Sequence, residues 1–262
     1  MSIKDIDFTL IDTQEALNDF CRAHETAEWL ALDTEFIGEN RFQTLLCLVQ
    51  VASPQGLFLI DSLQIKDLKP FMKLMEKEEI VKITHAGEND YRIFYELYGT
   101  VPRNIFDTQV AAGFMSSKYP VGFQKLLSKE LNIQLGKNYA ISKWDNRPLS
   151  NKQLLYALND ILYLHELYRK QKARLEKYDR LGWAREEFAK WENAEHYRED
   201  EHRDFFRNKA VGRMNRQSQG LLLRLYQWRR EEARKRDSPR ERVMADRILT
   251  EVAQVIPAGK KA

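Results

Sequence analysis

The spacing of hydrophobic positions predicts strands at the start of the chain. Short apolar runs occur at 29–33, 45–51 and 57–60, and the last two are separated by Ala52-Ser-Pro-Gln-Gly56, which has the composition of a turn. We interpret the three runs as consecutive antiparallel strands. A further apolar run at 80–84 predicts a fourth strand.

Helical periodicity appears between and after these runs. Leu68, Phe71, Met72 and Met75 have the spacing of a helix at about 65–76, and a second helix is predicted at 88–98, ended by Gly99. Three strands followed by helix–strand–helix alternation predict an α/β fold, with a mixed sheet flanked by helices.

Residues 104–174 read as mainly helical. One helix is predicted at 123–131 and another from Asn151 to about 175, with Ser150 as its N-cap, while 139–148 reads as a loop. In the second helix we expect the core stripe to consist of Leu155, Leu158, Leu162 and Tyr163.

The composition of the sequence changes beyond about residue 178, where aromatic residues are interspersed with many charged ones. A helix carries Leu221 to Trp228, the segment 237–240 interrupts it, and a last amphipathic helix is predicted at 243–255. We therefore predict an α/β domain at 1–175, a helical linker at 176–215 and a small all-helical part at 216–262.

Charge is distributed unevenly along the chain. Residues 1–176 carry 21 basic and 24 acidic side chains, a balance of −3, whereas 177–262 carry 21 basic and 15 acidic ones, a balance of +6. The basic part favours contact with a polyanion, although a solvated helical face would give the same composition.

The apolar runs, the first residues and the cysteines indicate where in the cell the protein is expected. No apolar run approaches the roughly 20 residues that cross a bilayer, and the first residues lack the apolar segment of a secretory signal. Cys21 and Cys47 lie in apolar surroundings without metal-site spacing. We expect a cytoplasmic protein with neither a disulfide framework nor a zinc site.

Asp33 and Glu35 are the first candidates for chemistry. They follow an apolar strand and stand two residues apart, so their carboxylates project to the same side. Carboxylates held close together repel and are stabilised by a cation, and hard oxygen ligands suit Mg²⁺ or Mn²⁺. Two exposed acids at a strand end would look the same in sequence.

Three further residues complete a candidate group. Asp90 opens the helix after the fourth strand, and Tyr156 and Asp160 share one face of the helix that begins at Asn151. Asp90 could be an ordinary acid of a first helical turn, and Asp160 a partly exposed one. Together with Asp33 and Glu35, these two carboxylates could bind two divalent ions about 3.5–4 Å apart, as in phosphodiester-cleaving enzymes, with Tyr156 next to the attacking water.

These motifs resemble those of the ribonuclease D family of DEDDy exonucleases. The first is Leu32-Asp-Thr-Glu-Phe36, the second His85-Ala-Gly-Glu-Asn-Asp90, and the third Tyr156-Ala-Leu-Asn-Asp160, whose Y-x-x-x-D spacing defines the tyrosine subclass. The similarity extends from about residue 8 to 174 and includes Asp107-Thr-Gln109 and Trp144-Asp-Asn-Arg-Pro-Leu149.

The resemblance implies a ribonuclease-H-like fold and two Mg²⁺ or Mn²⁺ ions. It implies hydrolysis from RNA 3′ ends, with structured RNA such as tRNA precursors as substrate and 5′-mononucleotides as product. If the family's residue roles apply to the matching positions, the metal ligands are Asp33, Glu35, Asp90 and Asp160. Tyr156 then positions the attacking water. Base catalysis by the Tyr156 phenolate is the second choice.

Other residues of the matching segments have two interpretations. Phe36 could pack against the terminal nucleotide or lie in the core. Arg147, in a loop with Trp144, could contact a phosphate or pin the loop. His85 is expected to support the turn before Asp90, and Asp107 to be structural.

The chain departs from the family pattern in two places. Lys143 stands before Trp144, where relatives commonly carry an acid, which leaves the role of the loop open. In addition, 221–257 resembles only the start of an HRDC domain, so the module is either reduced or cut short. Its basic residues could bind RNA or only cover the catalytic domain. They are Arg229, Arg230, Arg234, Lys235 and Arg236.

Two alternatives to an exoribonuclease remain at this level. The same site could cleave DNA, because contacts to the 2′-OH leave no readable sequence signature. A non-catalytic RNA-binding protein on the same fold is the third possibility, which the presence of all four acids and the tyrosine disfavours. No GxxxxGK[ST] loop occurs, and a monomer without membrane contact is expected.

Overall fold

The computed structural model describes residues 3–115, 119–135, 143–198, 200 and 202–255. The chain divides into two compact units. The first contains residues 1–37 and 46–197, and the second contains 38–45 and 198–262.

A mixed sheet forms the centre of the first unit, as predicted, but it has six strands where four were predicted. The strands are β1 (Thr9–Ile11), β2 (Trp29–Ile37), β3 (Leu45–Ser53), β4 (Gly56–Ile60), β5 (Val81–Thr84) and β6 (Ile105–Asp107). Their order is β1-β4-β3-β2-β5-β6, with β3 and β4 antiparallel and the pairs β1/β4, β2/β5 and β5/β6 parallel.

Helices cover both faces of this sheet. They are α1 (Gln14–Ala23), α2 (Lys69–Met75), α3 (Glu88–Tyr98), α4 (Thr108–Gly113), α5 (Phe123–Leu131), α6 (Asn151–Leu162), α7 (Leu164–Lys177), α8 (Leu181–Trp191) and α9 (Ala194–Tyr197). The predicted helix 88–98 is confirmed with both ends, since Gly99 adopts the left-handed conformation with φ 71°. The predicted 123–131 helix is confirmed as well.

Side chains alternate between two hydrophobic layers along β2. Leu30 and Leu32 belong to the layer that includes Tyr91 and Phe94 of α3. Ala31 belongs to the opposite layer, with Ile161 of α6. This alternation decides on which face each polar residue at the end of β2 lies.

The long helix predicted from Asn151 to about 175 is in fact two helices. Ser150 caps α6 through a capping box with Gln153, as expected of an N-cap, but α6 ends at Leu162 with Tyr163 as its C-cap (ψ 0°), and α7 starts at Leu164. The predicted core stripe was correspondingly wrong. Leu158 is buried, whereas Leu155, Leu162 and Tyr163 are only partly so, and Ala157 and Ile161 occupy the core instead.

One other prediction changes in detail, and two segments cannot be compared. The helix predicted from residue 65 begins at Lys69, with Pro70 in its first turn. Part of the predicted 139–148 loop, residues 139–142, lies outside the described residues, as does 256–262. Both cysteine side chains are buried thiols.

The predicted linker 176–215 is not an independent segment. Ala184 and Phe188 of α8 are buried in the core of the first unit, which therefore continues to Tyr197. The remainder, with α10 (Arg203–Arg207), belongs to the second unit.

The second unit is helical, as predicted for the C-terminal part. It contains α10, α11 (Arg216–Lys235), α12 (Arg240–Val243) and α13 (Asp246–Gln254), around a core of Met214, Leu222, Tyr226, Leu249 and Ala253. Neither unit contains, in its described ranges, a helix long and apolar enough to span a membrane.

Arg229 is a structural residue of this second unit. Its side chain is 1% exposed, donates to the Met244 carbonyl at 2.9 Å, and pairs with Asp246 at 2.6 Å. Lys235 and Arg236 both pair with Glu232 on their own helix. The proposed contact of Arg229 with RNA is therefore wrong, because its charge is already neutralised inside the unit.

Candidate active site

Strand β2 carries two of the predicted acids at the edge of the core. Leu30, Ala31 and Leu32 are fully buried, and Asp33 and Glu35 follow as partly exposed residues on the face of Ala31. The apolar residues fix the strand, and the strand fixes the direction of both carboxylates.

Helix α6 brings Asp160 to the same point. One carboxylate oxygen from each of Asp33, Glu35 and Asp160 lies within 4.8 Å of the other two. Helix α6 covers the Ala31 face of the sheet, so its acid meets the acids of β2 directly. No second group of acids, histidines or cysteines within the described ranges meets this distance criterion.

Asp90 approaches from the opposite face. Thr34 points toward the α3 side of β2, and its hydroxyl donates a hydrogen bond to the Asp90 carboxylate, which is 6% exposed. Asp90 is not in the group of three, but its charge raises the pKa of Glu35. The structure therefore brings three predicted acids together and sets the fourth beside them.

The turn before Asp90 is anchored by Asp107. This buried carboxylate accepts hydrogen bonds from the Gly87 amide at 2.8 Å and from the Gln109 and Val110 amides at 2.8 and 3.0 Å. Asp107 is thus the N-cap of α4, which agrees with the structural role expected for it.

His85 also supports this turn. Its Nδ1 lies 2.9 Å from the Thr108 hydroxyl, and its ring packs 5.2 Å from that of Phe123. Burial lowers the pKa of His85 to about 4, so the ring is neutral at physiological pH. These contacts agree with the supporting role expected for His85.

The pKa values of all four acids are raised, which means that their ionised forms are disfavoured in the folded protein. Burial, followed by the charge of Asp33, raises the pKa of Glu35 to about 9 and that of Asp160 to about 8. Burial raises the pKa of Asp33 to about 6, and burial together with Asp33 raises the pKa of Asp90 well above its usual value. Full ionisation at neutral pH therefore requires positive charge from outside the chain.

Divalent cations fit this requirement. The converging donors are all carboxylate oxygens, which is the set that Mg²⁺ and Mn²⁺ prefer over softer sulfur- and nitrogen-rich sites. The acids come from a strand and two helices, all held by the core, so the oxygens are fixed before any ion binds.

Tyr156 lies next to the acids, one helical turn before Asp160. Its hydroxyl hydrogen-bonds to the Asp160 carboxylate, and burial and the Asp160 charge raise its pKa far above the usual value. The phenol is therefore a protonated donor at neutral pH. The Trp144 ring lies 6.0 Å from the Tyr156 ring, centre to centre.

Phe36 is not a core residue. Its side chain is 37% exposed, directly after Glu35 in the strand. Of the two interpretations of Phe36, contact with a nucleotide is the one that its exposure permits.

Arg147 has its donors fully engaged within the protein. Nε and Nη2 both bind the Asp61 carboxylate, Nη2 also donates to the Cys47 carbonyl at 2.9 Å, and Nη1 donates to the Trp144 and Asn146 carbonyls at 2.7 and 2.8 Å. All five N–H groups of the guanidinium are used in this way. The structure therefore corrects the assignment of Arg147 to substrate binding and favours the alternative in which it pins the loop.

Trp144 is likewise unsuited to direct substrate contact, because only 4% of it is exposed. It packs beside Tyr156 and holds that side of the site. Lys143 lies at the exposed end of the same loop, where its carbonyl accepts a hydrogen bond from Gln153.

Two contributors were not identified from sequence. Thr34 stands between the two acids of the first motif, and its partner Asp90 lies 56 residues away. Asp61 follows β4 and neutralises Arg147. From the sequence, Thr34 could have been recognised only by its position on a buried face of the strand. We find no sequence feature that would have identified Asp61.

Comparison with known proteins identifies relatives of the segment that carries these acids. A family profile described as 3′-5′ exonuclease matches residues 8–176, and an HRDC domain profile matches 218–262. Ribonuclease D of Pseudomonas paraeruginosa is 36% identical over 241 residues, which is 92% of this chain and 64% of that protein. The chain therefore spans slightly less than two thirds of this relative.

Solved structures agree with these matches. Escherichia coli RNase D, described as an exoribonuclease involved in structured RNA processing, superposes with a TM-score of 0.88 at 27% identity, covering 95% of this chain and 66% of that one. Brucella melitensis NrnC with bound Mg²⁺ gives 0.59 at 28% identity, over 72% of this chain and 90% of that one. The same protein bound to pGG gives 0.60 at 28% identity, with the same coverage.

Proposed function

The chain belongs to the ribonuclease D family of 3′-5′ exonucleases, and we propose that it is a metal-dependent exoribonuclease that shortens RNA from the 3′ end. The observation that carries the proposal is the convergence of Asp33, Glu35 and Asp160, with Asp90 beside them, at one end of the sheet. Because the chain spans about two thirds of its relatives, the activity of the whole enzyme is part of this proposal.

Asp33, Glu35, Asp90 and Asp160 would hold two divalent ions, Mg²⁺ or Mn²⁺. Such ions lower the pKa of a water molecule and neutralise charge on the leaving oxygen. The carboxylates contribute fixed positions, and Thr34 keeps Asp90 in place from the far side of the strand.

Tyr156 would orient the attacking water. Its single O–H donates to the Asp160 carboxylate, so the phenol oxygen would accept a hydrogen bond from the water, and Asp160 and Trp144 restrict its ring. The water oxygen forms a bond to the phosphorus of the last phosphodiester, and the bond from phosphorus to the 3′ oxygen breaks. A proton passes to that oxygen, and a 5′-nucleoside monophosphate is released.

Phe36 would pack against the terminal nucleotide, since base–aromatic contact is worth about 1–3 kcal/mol and tolerates any sequence. Trp144 and Arg147 would act indirectly by holding the loop beside Tyr156. Substrate binding therefore involves fewer side chains than the sequence motifs imply.

RNA is the substrate that the family favours, and structured RNA such as a tRNA precursor is the class we propose. The two structures of Brucella melitensis NrnC, one with bound Mg²⁺ and one bound to pGG, support a metal-dependent site for nucleotide chains. Exposed cations of the C-terminal helices, Arg229 excepted, would assist binding electrostatically. We propose further that the protein is a cytoplasmic monomer.

A gel time course tests the proposal. The substrate is a 5′-labelled single-stranded RNA with the matched DNA in parallel, each with Mg²⁺, Mn²⁺ or EDTA. We expect a metal-dependent ladder that shortens from the 3′ end on RNA. Equal degradation of DNA would move the substrate class to DNA, and intact substrate that is nevertheless bound would indicate a non-catalytic binding protein.

A further inference from the structure

The loop between β2 and β3 belongs structurally to the C-terminal part of the chain. Residues Gly38–Leu45 form one compact unit with residues 198–262, although they continue directly from the strand that carries Asp33 and Glu35. Nothing in the HRDC-like sequence or in the exonuclease motifs indicates this arrangement.

One carboxylate holds this loop. Asp237 accepts hydrogen bonds from the backbone amides of Phe42 and Gln43 at 3.2 and 3.3 Å through Oδ1. Its other oxygen, Oδ2, pairs with Nη2 of Arg41 at 2.8 Å. A half-exposed ion pair is weak by itself, but three contacts on one carboxylate fix both its own orientation and that of the loop.

Two arginines add to the attachment. The Arg234 guanidinium lies 5.6 Å from the centre of the Phe42 ring, and Arg242 donates to the side-chain oxygen of Asn40. Basic residues of the C-terminal helices therefore help to hold the loop. One of them is Arg234, which the sequence suggests as an RNA-binding residue.

The backbone of Asp237 is suited to this role. Its φ is 43°, in the left-handed region, where Asp, Asn and Gly are tolerated better than other residues. This conformation turns the chain between α11 and α12 and aims the carboxylate at the loop.

We propose that Asp237 is a positioning residue for substrate binding: it fixes loop 38–45 and, through chain continuity with Phe36 and Ile37, determines how the enzyme holds RNA. The RNA part of this inference rests on the proposed function. Because the loop is already ordered before RNA binds, binding does not include the entropy cost of ordering it. Releasing the loop should therefore weaken RNA binding, while the metal-ligand carboxylates stay in place.

Two substitutions separate the contacts. Asp237→Gly removes the carboxylate and keeps the left-handed backbone unstrained. Asp237→Asn keeps an acceptor for the two amides and removes the charge that pairs with Arg41. Glu251→Gln is the matched control, because it removes one negative charge from an exposed pair with Arg247 on α13 and leaves Asp237 and the basic side chains unchanged.

The first readout is independent of RNA. Hydrogen exchange of a peptide that covers 38–45 should be faster in Asp237→Gly, intermediate in Asp237→Asn and unchanged in Glu251→Gln. Unchanged exchange in Asp237→Gly would overturn the proposal, because the loop would then be ordered without Asp237. Thermal unfolding of each variant confirms that it is folded, and Asp237→Asn decides the matter if Asp237→Gly does not fold.

The second readout is RNA itself. We expect Asp237→Gly to raise the Kd for single-stranded RNA in EDTA, and the KM with metal, by about three- to thirtyfold, the range of effects transmitted through intervening structure. The kcat should stay within about twofold of wild type. An unchanged Kd and KM despite a released loop, or a fall in kcat alone, would overturn the positioning role. If the wild type binds but does not cleave RNA, the proposed function fails, while the Kd comparison still decides this inference.

Discussion

At the scale of single residues, the alternation of side chains along β2 explains how acids from two faces of a sheet meet. Asp33 and Glu35 share the face of Ala31, where α6 supplies Asp160. Thr34 shares the face of Leu30 and Leu32, where α3 supplies Asp90, and its hydroxyl connects the two sides. The x of the D-x-E motif is therefore a structural position and not a spacer.

Neutralising one acid should abolish cleavage and leave the fold intact. For Asp160→Asn we expect a loss of about 10²- to 10³-fold in kcat, the order that follows removal of one electrostatic group from an active site. Because Asp160 lies among like charges, the variant should be at least as stable as wild type in EDTA. Single-turnover cleavage and thermal unfolding measure the two effects.

Glu166→Gln, which changes an exposed acid on α7, is the control and should behave as wild type. Retained activity in Asp160→Asn would contradict the assignment of this residue to the metal site.

Tyr156→Phe distinguishes orientation from proton abstraction. A phenol whose pKa is far above its usual value stays protonated, so we expect a fall in kcat of less than about 10²-fold, below the range of a lost general base. The shape of the rate–pH profile between pH 7 and 10 should be that of wild type. Loss of a limb of this profile together with a fall as deep as that of Asp160→Asn would point to base catalysis.

At the scale of elements, the ion pair between Arg147 and the buried Asp61 is a main attachment of the loop 143–149. Arg147→Met leaves the Asp61 carboxylate, which is 5% exposed, without its cation, and removes the contacts to the Trp144 and Cys47 carbonyls. We expect a loss of about 3 kcal/mol in the free energy of unfolding, measured in urea, and a lower kcat because Trp144 packs on Tyr156.

The double variant Asp61→Asn with Arg147→Met should recover part of that stability, because no buried charge remains unpaired. Arg247→Ala, at an exposed pair, should change stability by less than about 0.5 kcal/mol. An Arg147→Met protein as stable as wild type would show that the loop is held by other contacts.

Elements with a strong local pattern were predictable, and those decided by tertiary packing were not. Helix α3 has a left-handed glycine at its end, and its limits follow from sequence. Strands β1 and β6 have three residues each, too few for a period-2 signal, and they form by pairing with longer neighbours. The break at Tyr163 carries neither Pro nor Gly, so the apolar spacing ran through it.

At the scale of the whole molecule, charge and connectivity do not follow the sequence pattern. Arg229 reads as part of a basic run, yet it is the buried cation of the second unit, paired with Asp204 and Asp246. Loop 38–45 reads as part of the exonuclease domain but belongs to the same unit as 198–262. Both depend on contacts between residues far apart in the chain, which a local pattern cannot encode.

The unfolding of the whole protein should respond to divalent cations. Because the pKa values of Glu35 and Asp160 are raised to about 9 and about 8, the folded protein binds more protons than the unfolded chain from about pH 4 to 9. Without metal, these groups therefore lower the free energy of unfolding as the pH rises through that range. Cations that bind the folded carboxylates remove this repulsion.

At pH 8 and a cation concentration of about 100 Kd, we expect stabilisation by about 2.7 kcal/mol, which corresponds to a rise in Tm of roughly 5–10 °C. At pH 5.5 the rise should be smaller, because the cation then competes with protons. Differential scanning calorimetry with MgCl₂ or MnCl₂ against NaCl of equal ionic strength measures it. Asp33→Asn with Asp160→Asn should lose the shift, and an equal shift in that variant would mean that the ions bind elsewhere.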